Sequence, residues 1–414
     1  MASFKGKTAN SPGTMLLKES WKLHVDCTND TGFPSSCLYQ LIDSIMKAWL
    51  RPNCNDQGLR LFKKARKLLF FVLIFLFGNS LFAQDFHYSQ FFNAPLHLNP
   101  GLTGIYNGDI RYMGNYRSQW ASVPVNYQTF TVAVDAKFLK KTFKQGFFSG
   151  GIEINYDQAG LSRMRLIDLN LSGSYTYTFS EHFLMTTGVT GRIGQRSFDE
   201  SDLSFNEQYD PTYGQYFDWL DNGENFAKSS LFFPDLAAGI NFRLQDIEST
   251  ALVNRLDKRS KVDFGVGVFH LLRPDQSFIG TTKEPLPMRI SPYMMGTLML
   301  GKNFDFVLNG TAQFQTSYRE ILGLAGLKIH LNRNLGKQFA LQLDFGYRYA
   351  NQFGDALIPG IEFFFNGWQA GFTYDINISD FNVATSKRGG PEISVRYIFR
   401  KVRPLPIFKI CPLI

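Results

Sequence analysis

Cysteine is scarce in this 414-residue chain: Cys27, Cys37 and Cys54 lie in the first 59 residues, and only Cys411 comes later. A body of sequence with one cysteine holds no internal disulfide, so its stability comes from a sheet, a core or a membrane. Long apolar runs are missing too. The longest, residues 68–77, falls well short of the about 20 residues that a membrane-spanning helix needs. No convincing 3.6-residue periodicity follows it, which argues against a helical soluble domain. Catalytic signatures are likewise absent. There is no G-x-S-x-G and no phosphate-binding glycine loop, and His87, His97, His182, His270 and His330 show no i, i+4 or metal-like pairing. No catalytic residue, cofactor or metal site is therefore expected.

The one apolar run has an informative setting, KKARKLLFFVLIFLFGNSLFAQD over residues 63–85. A cationic cluster, a short apolar stretch and a small residue at Ala83 follow the order of a secretory signal peptide. As a core helix the run would need a polar face, and it has none. Residues 60–83 are accordingly read as a signal cleaved after Ala83, leaving Gln84 or Asp85 as the first residue. No cysteine follows the cleavage point, so the signal is not of the lipoprotein kind. Residues 1–59 show little strand or helix periodicity and are read as an extension at the gene start, residues 1–45 at least being untranslated, with translation beginning at Met46 or at a non-standard codon at Leu59 or Leu61.

What is present after residue 84 is alternation, with many Phe, Tyr and Gly residues. In YQTFTVAVDAKF, Phe130, Val132, Val134, Ala136 and Phe138 share one face, while Thr129, Thr131, Asp135 and Lys137 share the other. Residues 166–179, 339–349 and 368–378 repeat the pattern. A soluble sandwich with one wet face would alternate as well. Two details favour a membrane barrel. The apolar faces end in Tyr, Phe or Trp, as aromatic girdles require. The stretches are also ten to thirteen residues long, against roughly five or six in soluble strands, and about 9–11 tilted residues cross the hydrocarbon layer. The fold class expected is all-β: a transmembrane outer-membrane β-barrel of about 14 antiparallel strands over residues 108–400.

The strands are placed near 108–117, 126–138, 146–157, 163–179, 182–195, 232–244, 262–272, 288–301, 304–315, 319–331, 338–349, 354–365, 367–378 and 391–400. An even number puts both termini in the periplasm. The tight turns at Ser180-Glu181, Lys302-Asn303 and Asn366-Gly367 then fall there, and the longest connection, residues 197–231, falls outside the cell. The polar faces, carrying Asp135, Lys137, Glu153, Asp168, Arg192, Asp344 and Arg348, line the lumen and suit either a wet pore or a filled interior.

Three blocks then carry a resemblance: QDFHYSQFFNAPLHLNPGLTG (residues 84–104), YMGNYRSQWASVPVNYQTFTVAVDAKF (112–138) and the ending GGPEISVRYIFRKVRPLPIFKICPLI. Together they resemble the PorP/SprF family of outer-membrane proteins associated with the type IX secretion system of Bacteroidota. The resemblance covers essentially residues 84–414. It implies a non-enzymatic component of secretion, in some members tied to gliding motility. Implied partners are outer-membrane lipid, the C-terminal domain of a secreted cargo or adhesin, and translocon or periplasmic motor components. Nucleic acid is out of reach of such a location.

Residues 84–107, with Pro95 and Pro100, make a poor strand. They either plug the lumen or dock a periplasmic partner, or are a plain lead-in to strand one; Ser89, Gln90 and Phe91 are the partner-binding candidates there. Arg117, Gln119 and Trp120 reach the outer rim, as partner contacts or as a girdle Trp with a structural Arg–carboxylate pair. Loop 197–231 is acidic and aromatic, and Tyr216 and Trp219 are its candidate anchors. It has no EF-hand spacing, so a solvated cap is the simpler reading of it than a calcium site. The opposite side is basic, and residues 401–414, rich in proline, are read as a periplasmic tail. A passive channel or lipophile transporter is the alternative function.

Overall fold

The computed structural model describes residues 85–120, 127–138, 145–160, 162–199, 203–217, 219–220, 223, 226, 228–246, 258–279, 283–334, 336–350, 356–379 and 385–400. The expected readings of residues 1–83 and 401–414 lie outside the described residues. Within the described residues the strands are β1 (Ile110–Gln119), β2 (Tyr127–Phe138), β3 (Gly146–Ala159), β4 (Met164–Ser180), β5 (Phe183–Ser197), β6 (Tyr209–Asp210), β7 (Gln215–Tyr216) and β8 (Ser230–Gln245). They continue with β9 (Lys261–Phe269), β10 (Arg289–Met299), β11 (Phe304–Gln315), β12 (Tyr318–Asn332), β13 (Phe339–Ala350), β14 (Ala356–Phe365), β15 (Trp368–Asn377) and β16 (Arg388–Phe399). All but β6 and β7 form one antiparallel barrel, closed where β1 pairs with β16. The fourteen barrel strands are the fourteen that alternation placed.

The barrel is inside-out relative to a soluble protein. Val189 and Ile193 are 62% and 64% exposed, while Thr131, Asp135, Thr176, Thr186 and Glu392 are buried on the inner face. Such a surface is stable in hydrocarbon, and closure leaves no strand edge unpaired there. Strands of up to seventeen residues, as in β4, exceed the length a tilted crossing needs. This is a transmembrane outer-membrane β-barrel.

Ile110 stands opposite Phe399, so the chain enters and leaves the barrel at one end, the proximal end. An aromatic belt marks it. Phe183 stacks on Phe179 and Phe242, with ring centres 5.3 and 6.3 Å apart, and Tyr397 stacks on Trp368 at 4.5 Å. Several turns here are short, although the connection from β8 to β9, residues 246–260, is long. Asn366, which with Gly367 joins β14 to β15, has φ 52°, the left-handed geometry of tight hairpins that Asn tolerates. The long connections 198–229 and 270–288 lie at the opposite, distal end.

Some boundaries differ from the expected ones. β9 stops at Phe269, because His270 turns left-handed (φ 59°) and Leu271 N–H bonds back to the Leu236 carbonyl. β10 stops at Met299, because Leu300 and Gly301 N–H both turn to the Phe304 carbonyl. The ribbon of β6 and β7 within the distal loop was not expected; Tyr209 faces Tyr216 in it.

Candidate functional site

The lumen is occupied by the chain's own residues 85–106. Two prolines break the segment into short turns: a 3-10 turn Phe91–Asn93, one α-turn Pro95–Leu98 and a 3-10 turn Pro100–Leu102. Proline at the first position of a turn costs nothing, since its missing N–H would be unpaired there anyway. The Asn99 side chain caps the last turn by accepting from Gly101 N–H at 2.7 Å. A compact, non-strand path is thus dictated locally by the sequence N-A-P-L-H-L-N-P-G.

The segment runs the length of the barrel. Asp85 is at the distal end, where its N–H donates to Gln315 Oε1, at the last residue of β11. Midway, Asn99 Nδ2 donates to the Ile240 carbonyl at 2.9 Å and to Tyr293 Oη at 3.0 Å. At the proximal end Gly104 N–H donates to Asp135 Oδ2 at 2.7 Å, and Tyr106 Oη donates to the Asp135 carbonyl at 2.8 Å. These partners sit on β2, β8, β10 and β11.

Two polar clusters hold the distal half. Ser89 and Gln90 N–H each donate to Glu392 at 2.7 Å. Ser89 Oγ donates to Asp375 at 2.8 Å and accepts from Arg348 at 2.9 Å. Asp375 also meets Arg117 at 2.8 Å and Arg348 at 2.7 Å, and Arg117 donates to the His87 carbonyl. All these side chains are buried, so removing one partner would leave an uncompensated charge, at a cost of about 3–5 kcal/mol. The second cluster centres on His270, which lies 2.5 Å from both Asp85 and Asp235. Burial alone would depress its pKa, but the Asp85 charge and the hydrogen bonds with both carboxylates outweigh burial and raise it. Burial pushes Asp85 the other way, yet His270 and Arg289 hold its carboxyl well below the usual range. His97, stacked on Phe86 at 4.4 Å, is driven down to about 3 by burial and by Arg289, so its ring is neutral at ordinary pH.

The lumen is not lined by polar residues alone. Leu322, Leu324, Ala356 and Ile358 point inward from β12 and β14 and form one buried cluster with Phe91, Leu98, Leu102 and Ile105 of the segment. Each leucine, isoleucine or phenylalanine side chain among them contributes roughly 1.5–3 kcal/mol by leaving water. Opposite, Gly188, Gly239 and Gly267 stand side by side in register across β5, β8 and β9. They form a flat patch on which the turn at residues 98–101 lies. A Cβ at Gly188 would meet the Pro100 carbonyl oxygen at 2.3 Å, and one at Gly267 would meet the Leu98 carbonyl oxygen at 2.8 Å. Here glycine serves close backbone approach.

Of the residues singled out from sequence, Ser89, Gln90 and Arg117 come together, buried in the first polar cluster, while Phe91 is buried in the apolar cluster against β12 and β14. Gln119 and Trp120 are half-buried at the distal rim, where Trp120 N–H bonds to the Gly389 carbonyl at 2.7 Å. Tyr216 and Trp219 are apart from them, 50% and 77% exposed in the distal loop. Asn99 and Glu392 stood inside the first and last resemblance blocks with no role assigned to them, and Asp375, the His270 cluster and the glycine row carried no motif. A legible trace of the plug itself is that β12, EILGLAGL, places apolar residues on both faces, with Leu322 and Leu324 turned inward. A strand apolar on both sides is covered on both sides.

With the geometry in place, the family is decided by one match. The family model described as type IX secretion system membrane protein PorP/SprF covers residues 80–397. The chain belongs to the PorP/SprF family. Its members are membrane proteins of that secretion system, in keeping with the closed barrel. Among solved structures, this PorP/SprF barrel is similar to the CymD monoaromatic hydrocarbon channel, at 10% identity, TM-score 0.42, covering 75% of this chain and 94% of that one. It is also similar to the translocator domain of autotransporter NalP from Neisseria meningitidis, at 12% identity, TM-score 0.29, covering 72% and 91%. No curated protein matches the chain.

Proposed function

We propose that this protein is a closed, non-enzymatic scaffold in the outer membrane that supports secretion or surface anchoring of large adhesin-type cargo by the type IX system, and through it gliding motility in a member of the Bacteroidota. The observation that carries the reading is the lumen. A channel or lipophile transporter needs a continuous path, and residues 85–106 stand across it, bonded to wall strands on every side. With the passage filled, the barrel offers binding surfaces at its two ends. In the orientation usual for even-stranded barrels the proximal end faces the periplasm and its motor components. The distal loop, with Tyr216 and Trp219 exposed, then faces the cargo outside.

The signal reading gains support from the same geometry. Asp85 is buried at the distal end, so a chain still attached before it would have to leave through the distal mouth. Cleavage after Ala83 lets the segment seat with a free beginning. N-terminal sequencing of the outer-membrane form is expected to start at Gln84 or Asp85; a form that keeps residues before Lys63 would refute it.

The function is tested by deleting the gene and comparing surface and culture-fluid proteomes with the parent strain. Loss of one large adhesin, with other exported proteins intact, is the expected result. Unchanged export would overturn the reading, and collapse of all type IX cargo would replace cargo-specific support with a core role in the machine.

A further inference from the structure

Below the plug, at the proximal mouth, the lumen widens into a cavity of about 390 Å³. Pro95, Leu102 and Ile105 form its roof, and Ser260 and the Asn366-Gly367 turn reach its rim. Its charge is lopsided. Of the carboxylates that line it, Asp263 is paired with Arg243 at 2.7 Å and Asp305 with Arg259 and His330 at 2.6 Å each, while Glu362 accepts a hydrogen bond from the neutral Asn93 amide at 2.6 Å, so cations outnumber carboxylates around the cavity. Lys261, Lys328 and Arg396 line it too, and among the described residues none of the three forms an ion pair with a carboxylate. Arg396 has only the Gln369 side-chain oxygen, and Lys328 rests over the Phe364 ring with its ammonium 3.2 Å from the ring centre.

We propose that this proximal vestibule binds an acidic, carboxylate-rich peptide segment of a periplasmic partner. Three features select that occupant. First, the unpaired cations are distributed. Lys261 is on β9, Lys328 on β12 and Arg396 on β16, separated by two and three intervening strands around the barrel. One small anion meets one or two of them, whereas a chain bearing several carboxylates meets all three. Second, the site lies inside the barrel, where the sheet screens it from the bilayer, so a lipid headgroup has no route to it. Third, the chain's own tail has the wrong sign: residues 401–414 carry Lys401, Arg403 and Lys409 and no Asp or Glu. The ring contact at Lys328 holds its ammonium in place while leaving N–H donors free, which lowers the ordering cost of binding. The inference stands on this geometry and does not depend on the cargo reading; only the word periplasmic rests on the orientation given above.

The test uses the purified full-length protein in detergent with a fluorescent oligoglutamate peptide, an oligolysine peptide of equal length and inorganic phosphate. Oligoglutamate should bind and oligolysine should not. Affinity should fall by about tenfold or more between about 50 and 500 mM salt, as expected for charge pairing. Lys261→Gln with Lys328→Gln should weaken binding by about tenfold or more, with the folded state of the variant confirmed by its unchanged heat-modifiable gel migration. The salt series on the unaltered protein keeps the test decisive if the variant folds poorly. No binding of oligoglutamate, salt-independent binding, or full affinity in a folded double variant would overturn the proposal. Competition by phosphate as strong as by peptide would overturn it in favour of a small-anion site.

Discussion

His270 is held between Asp85 of the plug and Asp235 of β8, with Arg289 and Arg192 as the nearby like charges. A histidine whose pKa is raised in the folded state stabilises that state fully below its unfolded value of about 6.5, and the contribution is lost as pH rises through the folded value. Asp85, with its pKa lowered, works in the opposite sense. Its contribution is present above about 3.9 and is lost only as pH falls through the much lower folded value. The plug's distal end is therefore held most firmly from mildly acidic to neutral pH and loosens on the alkaline side. Brief conductance events in planar bilayers should become more frequent as pH rises above neutral. His270→Gln, which carries no charge, should show such events at every pH without that rise. A flat profile in the unaltered protein would contradict the assignment.

At the level of elements, the strands were legible because lipid outside and a polar lumen inside impose strict alternation. Phe130, Val132 and Val134 against Thr129, Thr131 and Asp135 is one instance, and the structure turns these faces as the pattern requires. Strand ends were less legible, since β9 and β10 are ended by turn hydrogen bonds of His270, Leu271 and Gly301 that no periodicity encodes. The plug was half legible. Pro95, Pro100 and Asn99 ruled out a strand, but a lead-in and a plug share that composition, and many of the wall partners that decide between them, such as Glu392 and Ile240, are more than a hundred residues away in sequence. The same remoteness hid the roles of Gly188, Gly239 and Gly267, which acquire meaning only in register with one another. A methyl group at Gly188 cannot be taken up by a side-chain swing, because it meets the backbone of Pro100 and Gly101. Gly188→Ala is thus expected to leave the barrel intact while unseating the turn at residues 98–101, which is the lesion that would open the lumen.

For the whole molecule, the plug fills a barrel that would otherwise be wide enough to conduct, and on the proposed reading it makes the barrel a closed support with a binding surface at each end. Ion pairs from His270 and Arg289 of the wall to Asp85, an apolar seat on β12 and β14 and the flat glycine patch on β5, β8 and β9 all act on the same twenty-odd residues. That convergence is the reason to regard closure as the resting state. The most direct measurement is single-channel recording of the purified full-length protein in planar bilayers at neutral pH, beside Gly188→Ala. A silent unaltered protein, with steady conductance in the alanine variant, is the predicted result. Steady conductance in the unaltered protein would contradict the plugged lumen, and with it the scaffold reading in favour of a channel.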